Sequence, residues 1–183
     1  MKNIFMISPA FLKEYMPEID NNVDDDLFET SIIEAQEIQL REITGQKLYE
    51  SLLDKIDNDT LSGDTTYNNL FENYCLKVVL YQSISYAFNR LSFKINNKNV
   101  GVKDGDNTAN LTAEQYEILR SDYNNKMEYY SQRLINYLCS NSSLFSEYGT
   151  ETDDEITPNE RSVYFNGMDL TAKNKPCRRY ANL

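Results

Sequence analysis

Acidic residues at alternate positions near the N-terminus are the part of this sequence that most resembles a metal site. Asp20, Asn22 and Asp24 alternate like the first ligands of a calcium-binding loop. Such a loop requires glycine at its sixth position and glutamate at its twelfth, where this chain has Asp25 and Ser31. We therefore interpret these aspartates as favourable charges at the positive end of a helix dipole, and we predict no metal site there.

The chain lacks the side chains on which most catalytic sites depend. It contains no histidine, so Ser-His and Cys-His nucleophile systems cannot form within it. Neither GxGxxG nor GxxxxGK[ST] occurs, and the loop Asp104–Asn110 meets neither calcium-loop nor P-loop spacing. We predict that the protein is not an enzyme and binds no cofactor. A metal-dependent enzyme that uses carboxylates is the alternative.

Charge is distributed unevenly along the chain, whose formal net charge is −11 over 183 residues. Residues 1–60 hold 14 acidic and 5 basic residues. After Asp169 the only charged residues are basic, between Lys173 and Arg179. This balance argues against a primary nucleic-acid binder, because neutralising phosphates requires a basic face. The acidic third and the basic tail either steer contacts between copies or are solvated surface.

A single amphipathic helix running to Thr44 and Gly45 is the best-defined element. At 100° per residue most of its apolar residues share one core-facing side. Ile33 and Leu40 fall off that side, one heptad apart, and we predict that they contact a neighbouring subunit; isolated exposed apolar residues are the alternative. Gly45 is expected to end the helix with a positive φ. The core-facing residues are Leu27, Phe28, Ile32, Ala35, Ile38 and Ile43.

Two further long helices belong to a predicted bundle. Between Tyr67 and Leu91 apolar residues occupy nearly the whole circumference, which is typical of the central helix of a bundle. A later helix carries an apolar stripe in which three of the seven residues are tyrosines. Because tyrosine hydroxyls need partners when buried, this stripe either faces the core or lies in part against water or another subunit. The stripe consists of Tyr116, Leu119, Tyr123, Met127, Tyr130, Leu134 and Leu138. We predict a mainly α fold, a helical bundle of about four to five helices.

A short segment between these two helices departs from the helical pattern. Phe93, Ile95, Val100 and Val102 alternate around a polar turn. The alternation predicts a small β-hairpin insertion near residues 92–103. An isolated hairpin of this size is marginal, so we expect it to pack on a helix or on another copy.

From residue 141 onward we predict an extended C-terminal arm. Aromatic clusters alternate there with charged and turn residues, and the helical periodicity is lost. Arms of this kind order against a partner, and a disordered tail is the alternative. We divide the chain into a helical domain, 1–140, and the arm, 141–183. Besides Ile33, Leu40 and the hairpin residues, the predicted partner contacts are Leu144, Phe145, Tyr148, Tyr164, Phe165, Arg178, Arg179 and Tyr180.

The order of these elements resembles the head–tail connector (adaptor) proteins of tailed bacteriophages. Their N-terminal signature is a leucine-containing leader, then acidic residues, then a helix that ends in a Thr-Gly step. The stretch SPAFLKEYMPEIDNNVDDD and the long arm are most similar to ring proteins of crAss-like phages. The resemblance covers the layout of residues 8–140. The matching positions are Phe11-Leu12, Asp24–Asp26, Glu34-Ala35 and Ile43-Thr44-Gly45.

This resemblance implies a structural virion protein. Members of the family form a ring, most often a dodecamer, which docks beneath the portal, joins the capsid to the tail and lines the DNA passage. The implied partners are other copies of the chain, the portal protein and a neighbouring connector or tail protein. DNA would pass through the lumen without sequence readout, and no membrane is involved. The protein would be made in the bacterial host cytoplasm and would end at the head–tail interface of the virion.

A second hypothesis assigns the chain to a different class. A soluble helical adaptor or regulator would bind a single host or phage protein through the same C-terminal arm. The two hypotheses predict different masses for the purified protein, because only the connector assembles into a ring, either alone or together with a portal.

Overall fold

Helices make up most of the structure, so the predicted mainly α class is confirmed. The computed structural model describes residues 4–16, 23–95, 100–102, 113–150 and 155–158, and only the backbone is described at residues 89, 91–95, 100–102 and 113. No helix within these ranges combines the length and apolar character needed to cross a bilayer.

The helices follow the predicted order along the chain. The helices are α1 Pro9–Tyr15, α2 Asp25–Glu34, the π-helical segment π1 Ala35–Leu40, α3 Arg41–Thr44, α4 Gln46–Asp57, α5 Thr65–Leu70, the π-helical segment π2 Phe71–Cys75, α6 Leu76–Ser92 and α7 Ala113–Ser140. Short 3₁₀ turns lie at Leu61–Gly63 and Ser142–Leu144. Two three-residue strands, β1 Phe93–Ile95 and β2 Val100–Val102, lie between α6 and α7.

Local chemistry sets the start of α1 and the end of α3. The Ser8 hydroxyl accepts a hydrogen bond from the Phe11 backbone N–H at 3.1 Å, and Pro9 occupies the first helical position of α1. Gly45 has a φ of 77° and ends α3, while its N–H donates to the Arg41 carbonyl at 3.0 Å. A side chain at this φ would be strained, which explains why glycine stands there.

The aspartates at the start of α2 act through their charge. Asp25 and Asp26 lie in the first turn of α2, where the helix dipole favours negative charge. Asp24 stands at the N-cap position without a side-chain hydrogen bond to the helix. Asp25 also pairs with Lys13 of α1 at 2.6 Å, so the same charge connects the first two helices.

The segment π1 shifts the core-facing side of the long α2–π1–α3 helix by one residue. A π-helix bonds residue i to i+5, so its turn contains an extra residue relative to an α-helix. The step between core positions is therefore five residues, from Ala35 to Leu40, and both are 0% exposed. Ile38 is 55% exposed instead. The prediction that Ile38 faces the core and Leu40 faces outward is wrong, because it assumed α-helical spacing throughout.

A buried glutamine in π1 fixes the N-terminal segment. The Gln36 side chain is 2% exposed. Its Nε2 donates to the Ile4 carbonyl at 2.7 Å, and its Oε1 accepts from the Met6 N–H at 3.2 Å. Both polar ends of the amide are thereby satisfied, as burial requires.

Helix α6 is the centre of the bundle, as predicted. It packs against α2, π1 and α7. Val78, Val79 and Leu80 are three consecutive residues with no exposed area, which only a helix enclosed on several sides can bury. The free thiol of Cys75, in π2, is fully buried, and burial raises its pKa well above the usual range. Cys75 is thus a core residue.

A ladder of aromatic pairs joins α6 to α7. The α6 side contributes an aromatic residue every seven positions, and so does α7, so the two antiparallel helices meet along one seam. Tyr123 and Tyr130, two of the three tyrosines of the predicted α7 stripe, therefore pair with aromatic rings within the chain. The pairs are Tyr74–Tyr137 at 4.0 Å between ring centroids, Tyr81–Tyr130 at 5.1 Å and Phe88–Tyr123 at 5.1 Å.

The chain beyond α7 folds back onto the helices. We call residues 144–150 and 155–156 the strap. Phe145 is 0% exposed, and its ring meets the Tyr67 ring edge-on at 5.4 Å between centroids. Tyr148 is 5% exposed. The packed part of the chain therefore extends beyond α7 into the first part of the predicted arm.

A second set of contacts holds the far end of the strap to the start of α4. The Gln46 N–H donates to the Ile156 carbonyl at 3.0 Å. Lys47 donates to the Thr150 carbonyl at 2.6 Å and pairs with Glu155 at 3.4 Å. The N–H groups at the start of a helix lack intrahelical partners, so the Ile156 carbonyl satisfies one of them.

The two strands pair antiparallel. Phe93 lies opposite Val102, and Ile95 lies opposite Val100. We call residues 93–95 and 100–102 the ribbon. Strand β1 follows α6 directly, so the ribbon begins where the central helix ends.

Candidate interaction surface

Three of the predicted partner contacts lie in the core of the chain. Leu40 and Phe145 are 0% exposed and Tyr148 is 5% exposed. Side chains with so little exposed area have no surface to offer a partner while the chain is folded, so these three predictions are corrected. Leu40 turns inward because of π1, and the other two turn inward because the strap folds back.

The remaining predicted contacts divide into three groups. Ile33 is half-buried and Leu144 is 54% exposed, so both have area available to a partner. The ribbon residues Phe93, Ile95, Val100 and Val102 are placed by their backbone and register only. The last group, Tyr164, Phe165, Arg178, Arg179 and Tyr180, lies outside the described residues.

Two large apolar residues lie on the outer side of α7. Ile118 is 68% exposed and Tyr129 is 63% exposed. They are eleven residues apart, about three helical turns, and so share one side of the helix. Charges of both signs surround them, because α7 holds four acidic and three basic residues. Glu117 pairs with Arg120 at 3.8 Å on this helix.

A second exposed apolar site lies on the first long helix. Ile38 follows Ile33 by five residues, close to one turn of π-helix, so the two stand near each other on the surface. Glu34 and Glu37 lie in the same turn. We call Ile33, Glu34, Glu37 and Ile38 the α2–α3 patch.

The α2–α3 patch is negatively charged. The helix from Asp25 to Thr44 holds six acidic residues and one basic residue. Arg90 of α6 pairs with Glu34 and donates to the Ser31 hydroxyl, the latter at 2.7 Å, which holds this side of the helix to α6. Apolar surface within an acidic border suits a partner that is apolar and basic.

Glu37 contributes to the negative potential beneath the patch. Burial raises the pKa of Tyr49 to about 12, and the neighbouring Glu37 carboxylate adds to that rise. Tyr49 therefore stays protonated and uncharged at neutral pH, so it adds no charge of its own beneath the patch.

A hydrogen-bonded carboxylate anchors the strap. The Tyr67 hydroxyl donates to Glu147 Oε2 at 2.6 Å, and the Ser146 hydroxyl donates to the same oxygen at 3.0 Å. Partial burial raises the pKa of Glu147, but these hydrogen bonds and that of its own backbone N–H outweigh it and leave the pKa below the ordinary 4.5. Burial, followed by the bond to Glu147, raises the pKa of Tyr67.

The anchoring of the strap should depend on pH. A carboxylate whose pKa is lowered by folding stabilises the fold above its unfolded pKa, and that stabilisation is lost as the pH falls through the folded pKa. The variant Glu147→Gln should unfold about 0.5–1 kcal/mol more easily at pH 7, at the low end for a charged hydrogen bond because Glu147 is partly exposed. Urea unfolding of the wild type and of Glu147→Gln should show that the difference between their free energies of unfolding becomes smaller below pH 4.5.

The control for this measurement is Tyr67→Phe, which removes the donor. In that background Glu147→Gln should have a smaller effect at pH 7, because the bond it weakens is already absent. If Glu147→Gln lowered the free energy of unfolding as much at pH 3 as at pH 7, that result would contradict the stabilising role of the ionised Glu147 carboxylate.

An open polar cleft of about 420 Å³ lies beside the strap. Its two lysines are engaged with their neighbours: Lys55 pairs with Asp64 at 3.0 Å, and Lys47 pairs with Glu155 at 3.4 Å. Within the described ranges, no three His, Cys, Asp or Glu side chains are grouped as metal ligands. We therefore assign no catalytic or metal-binding role to the cleft. Its lining is Lys47, Glu50, Ser51, Asp54, Lys55, Asn58, Thr60 and Glu147.

Residues 40–155 match DUF6712, a family of unknown function, over more than half of the chain. The chain belongs to this family. The DUF6712 region begins at the last residue of π1, includes α3 to α7, and continues through the strap as far as Glu155. No curated protein and no solved structure matches the chain.

The periodicity at 100° per residue did not reveal the exposed residues of this surface. Ile118 and Tyr129 lie off the apolar stripe of α7, and this position on the helix was the available indication that they are exposed. Ile38 gave no such signal, because uniform α-helical spacing places it in the core. Its exposure follows from the hydrogen-bond pattern of π1, which apolar spacing does not report.

Proposed function

We propose that this protein is a subunit of a head-to-tail connector ring. The observation that carries the proposal is the order of elements: a short α1, a long helix with an acidic start that ends at Thr44 and Gly45, the central α6, the ribbon and the long α7. This order follows the layout of phage connector proteins. The ring would dock beneath the portal, join the capsid to the tail and line the DNA passage as a structural part of the virion, without catalysis.

The exposed apolar residues support an assembling protein. Ile38, Ile118, Tyr129 and Leu144 are all more than half exposed, and large apolar side chains at the surface are typical of interaction sites when they form patches. Each site is small compared with a stable protein interface, so assembly would need several contacts at once. A portal that gathers the subunits would supply that condition.

The ribbon and the C-terminal arm, 141–183, are the elements that we assign to neighbouring proteins. An isolated two-stranded ribbon is marginal in water and gains stability by packing on another surface. The arm is anchored at its start by the strap, and its remaining residues would reach the portal, the next ring or a tail protein. The net charge of −11 suits a DNA passage, because an acidic lumen would not trap the duplex.

Native mass spectrometry of the full chain tests the proposal. The protein should form a ring-sized species, either alone or after mixing with the portal protein from the same genome. An unrelated portal serves as the control for unspecific association. A persistent monomer that ignores its own portal would contradict the connector role, and it would favour the adaptor that binds a single partner through the arm.

A further inference from the structure

We propose that a tyrosine-rich surface where α6 meets α7 in one copy docks on the α2–α3 patch of a second copy. The inference deepens the connector proposal and rests on it, since the ring is the assembly that would contain this contact. It assigns both sides of one subunit interface. We call the tyrosine-rich surface the tyrosine seam, and it consists of Tyr15, Tyr74, Lys77, Tyr129, Tyr130 and Arg133.

The two cations of the tyrosine seam have no carboxylate partner. Within the described ranges, every basic side chain except Lys77, Arg133 and Arg41 pairs with an Asp or Glu. The Lys77 ammonium lies 4.0 Å from the centroid of the Tyr15 ring and donates to its hydroxyl at 2.6 Å. The Arg133 guanidinium lies 5.1 Å from the centroid of the Tyr74 ring. The rings hold both cations in place and leave their positive charge available to a partner.

The rings of the tyrosine seam meet one another and reach the surface. Tyr129 meets Tyr130 edge-on at 5.2 Å between centroids, and Tyr130 stacks on Tyr81. Burial raises the pKa of Tyr81 to about 12, and the neighbouring Tyr15 and Tyr130 add to that rise, so Tyr15 of α1 lies beside the same pair. Tyr129 is 63% exposed and Tyr15 is 39% exposed. Exposed tyrosine rings of this kind are enriched at protein–protein interfaces.

The α2–α3 patch carries the opposite charge, and its exposed carboxylate is also unpaired. Glu37 stands exposed beside Ile38, which is 55% exposed. Glu29 is exposed one helical turn before Ile33, and Asp26 is exposed one turn before Glu29. These three carboxylates form no ion pair in the part of the chain that the structure describes. Docking would therefore pair uncompensated charges of opposite sign around an apolar centre.

Two other apolar residues are more than half exposed, and their surroundings fit the tyrosine seam less well. Ile118 stands next to Glu117, whose carboxylate already pairs with Arg120 at 3.8 Å. Leu144 lies among serines, which carry no charge. Ile38 combines a large exposed apolar side chain with a neighbouring carboxylate that has no cation, so the α2–α3 patch is the surface that we assign to the tyrosine seam.

A nucleic acid is the competing ligand for tyrosines that are interleaved with cations. Aromatic rings stack on bases, and cations neutralise phosphates. The tyrosine seam has two such cations on a chain with a net charge of −11, so the surrounding field repels a polyanion. The acidic patch of a second copy presents a few carboxylates at one place, which two cations can match.

The proposed contact joins two different surfaces of the same chain. Such a contact is heterologous, and repeated head-to-tail it generates a ring when the rotation between copies closes. The contact thus supplies the type of interface that a cyclic connector requires.

Photocrosslinking from the tyrosine seam tests the contact directly. The photoreactive residue p-benzoylphenylalanine replaces Tyr129 in the full chain, and Ile118 in a matched control, since both are exposed on the same side of α7. Isotopically labelled and unlabelled chains are mixed, with and without the portal, so that crosslinks between copies are recognised. The Tyr129 variant should give a covalent dimer whose crosslink maps by mass spectrometry to residues 26–38, and the Ile118 variant should give none at that segment.

Three results of this experiment would overturn the proposal. They are a Tyr129 crosslink that maps to another segment, a crosslink to nucleic acid that copurifies with the protein, and the absence of any dimer both alone and with the portal.

A charge exchange gives a second, independent test. Glu37→Lys and Arg133→Glu should each weaken association between copies about tenfold at low salt, because each sets like charges against each other. Sedimentation measures association, and circular dichroism confirms that each variant is folded. Arg120→Glu is the control, since it reverses a paired cation more than three turns from Arg133 on α7 and should change association by less than about twofold.

Mixing the two deficient variants shows whether their defects are complementary. In an equimolar mixture of Glu37→Lys and Arg133→Glu, copies that alternate pair opposite charges at every contact, so association should recover to within about twofold of the wild type. A mixture as weak as either variant alone would overturn the contact.

The outcomes separate this contact from the connector proposal. A wild-type ring whose Tyr129 crosslinks map elsewhere would overturn the docking of the tyrosine seam and leave the connector role intact. A protein that crosslinks as proposed but stops at a dimer, with and without its portal, would support the docking and contradict the ring.

Discussion

Replacement of Leu40 by alanine should lower the free energy of unfolding by about 2–5 kcal/mol, whereas Ile38→Ala should change it by less than about 0.5 kcal/mol. The two residues are two positions apart in the same π-helical segment. Leu40 is 0% exposed, so its truncation leaves a cavity in the core, while Ile38 is 55% exposed and its truncation leaves none. Urea unfolding followed by circular dichroism measures both values.

This pair of variants tests the one-residue shift that π1 introduces. With uniform α-helical spacing the result would be reversed, with Ile38 in the core and Leu40 on the surface. Equal losses for the two variants, or a larger loss for Ile38→Ala, would contradict the π-helical geometry. Replacement of Leu40 by aspartate should unfold the protein, since a buried unpaired charge is far more costly than a lost contact.

Truncation after Ser140 should destabilise the helical body by at least about 3 kcal/mol relative to a chain that ends after Pro158. The shorter chain loses the buried ring of Phe145 and the bond from Tyr67 to Glu147. The longer chain keeps the whole strap. Thermal and urea unfolding of the two truncated proteins and the full chain measure the effect.

Two point variants separate the packing of the strap from its mere presence. Phe145→Ala should reproduce most of the loss, about 3–5 kcal/mol, because it empties a site enclosed by α5 and α7. Leu144→Ala is the matched control, since Leu144 is 54% exposed and should change stability little. A chain ending at Ser140 that is as stable as the full protein would contradict the packed strap.

Local patterns in the sequence predicted the helices well. The Gly45 end of the first long helix and the apolar circumference of α6 each depend on residues that are neighbours in the chain. Interactions of that range are visible in the spacing of residue types. The mainly α class followed from them, and so did the identification of the central helix.

The interaction surface was predicted less well, because exposure depends on contacts between distant residues. The periodicity of the first long helix put its outward apolar pair at Ile33 and Leu40, and the structure puts it at Ile33 and Ile38. The aromatic clusters after residue 141 indicated an arm, but the first of them is buried against Tyr67, far away in the chain. Apolar composition alone does not distinguish a partner on another chain from one on the same chain.

By itself the sequence determined the helical elements, their order, the absence of histidine chemistry and the acidic character of the first third. These properties depend on composition and on spacing within one or two turns. Only the tertiary structure decided that π1 turns Leu40 inward and Ile38 outward, and that Phe145 closes the core. The physical reason is that burial is a property of the packed chain: one extra residue in a turn, or one loop that folds back, moves a side chain from the surface to the interior without changing the pattern around it.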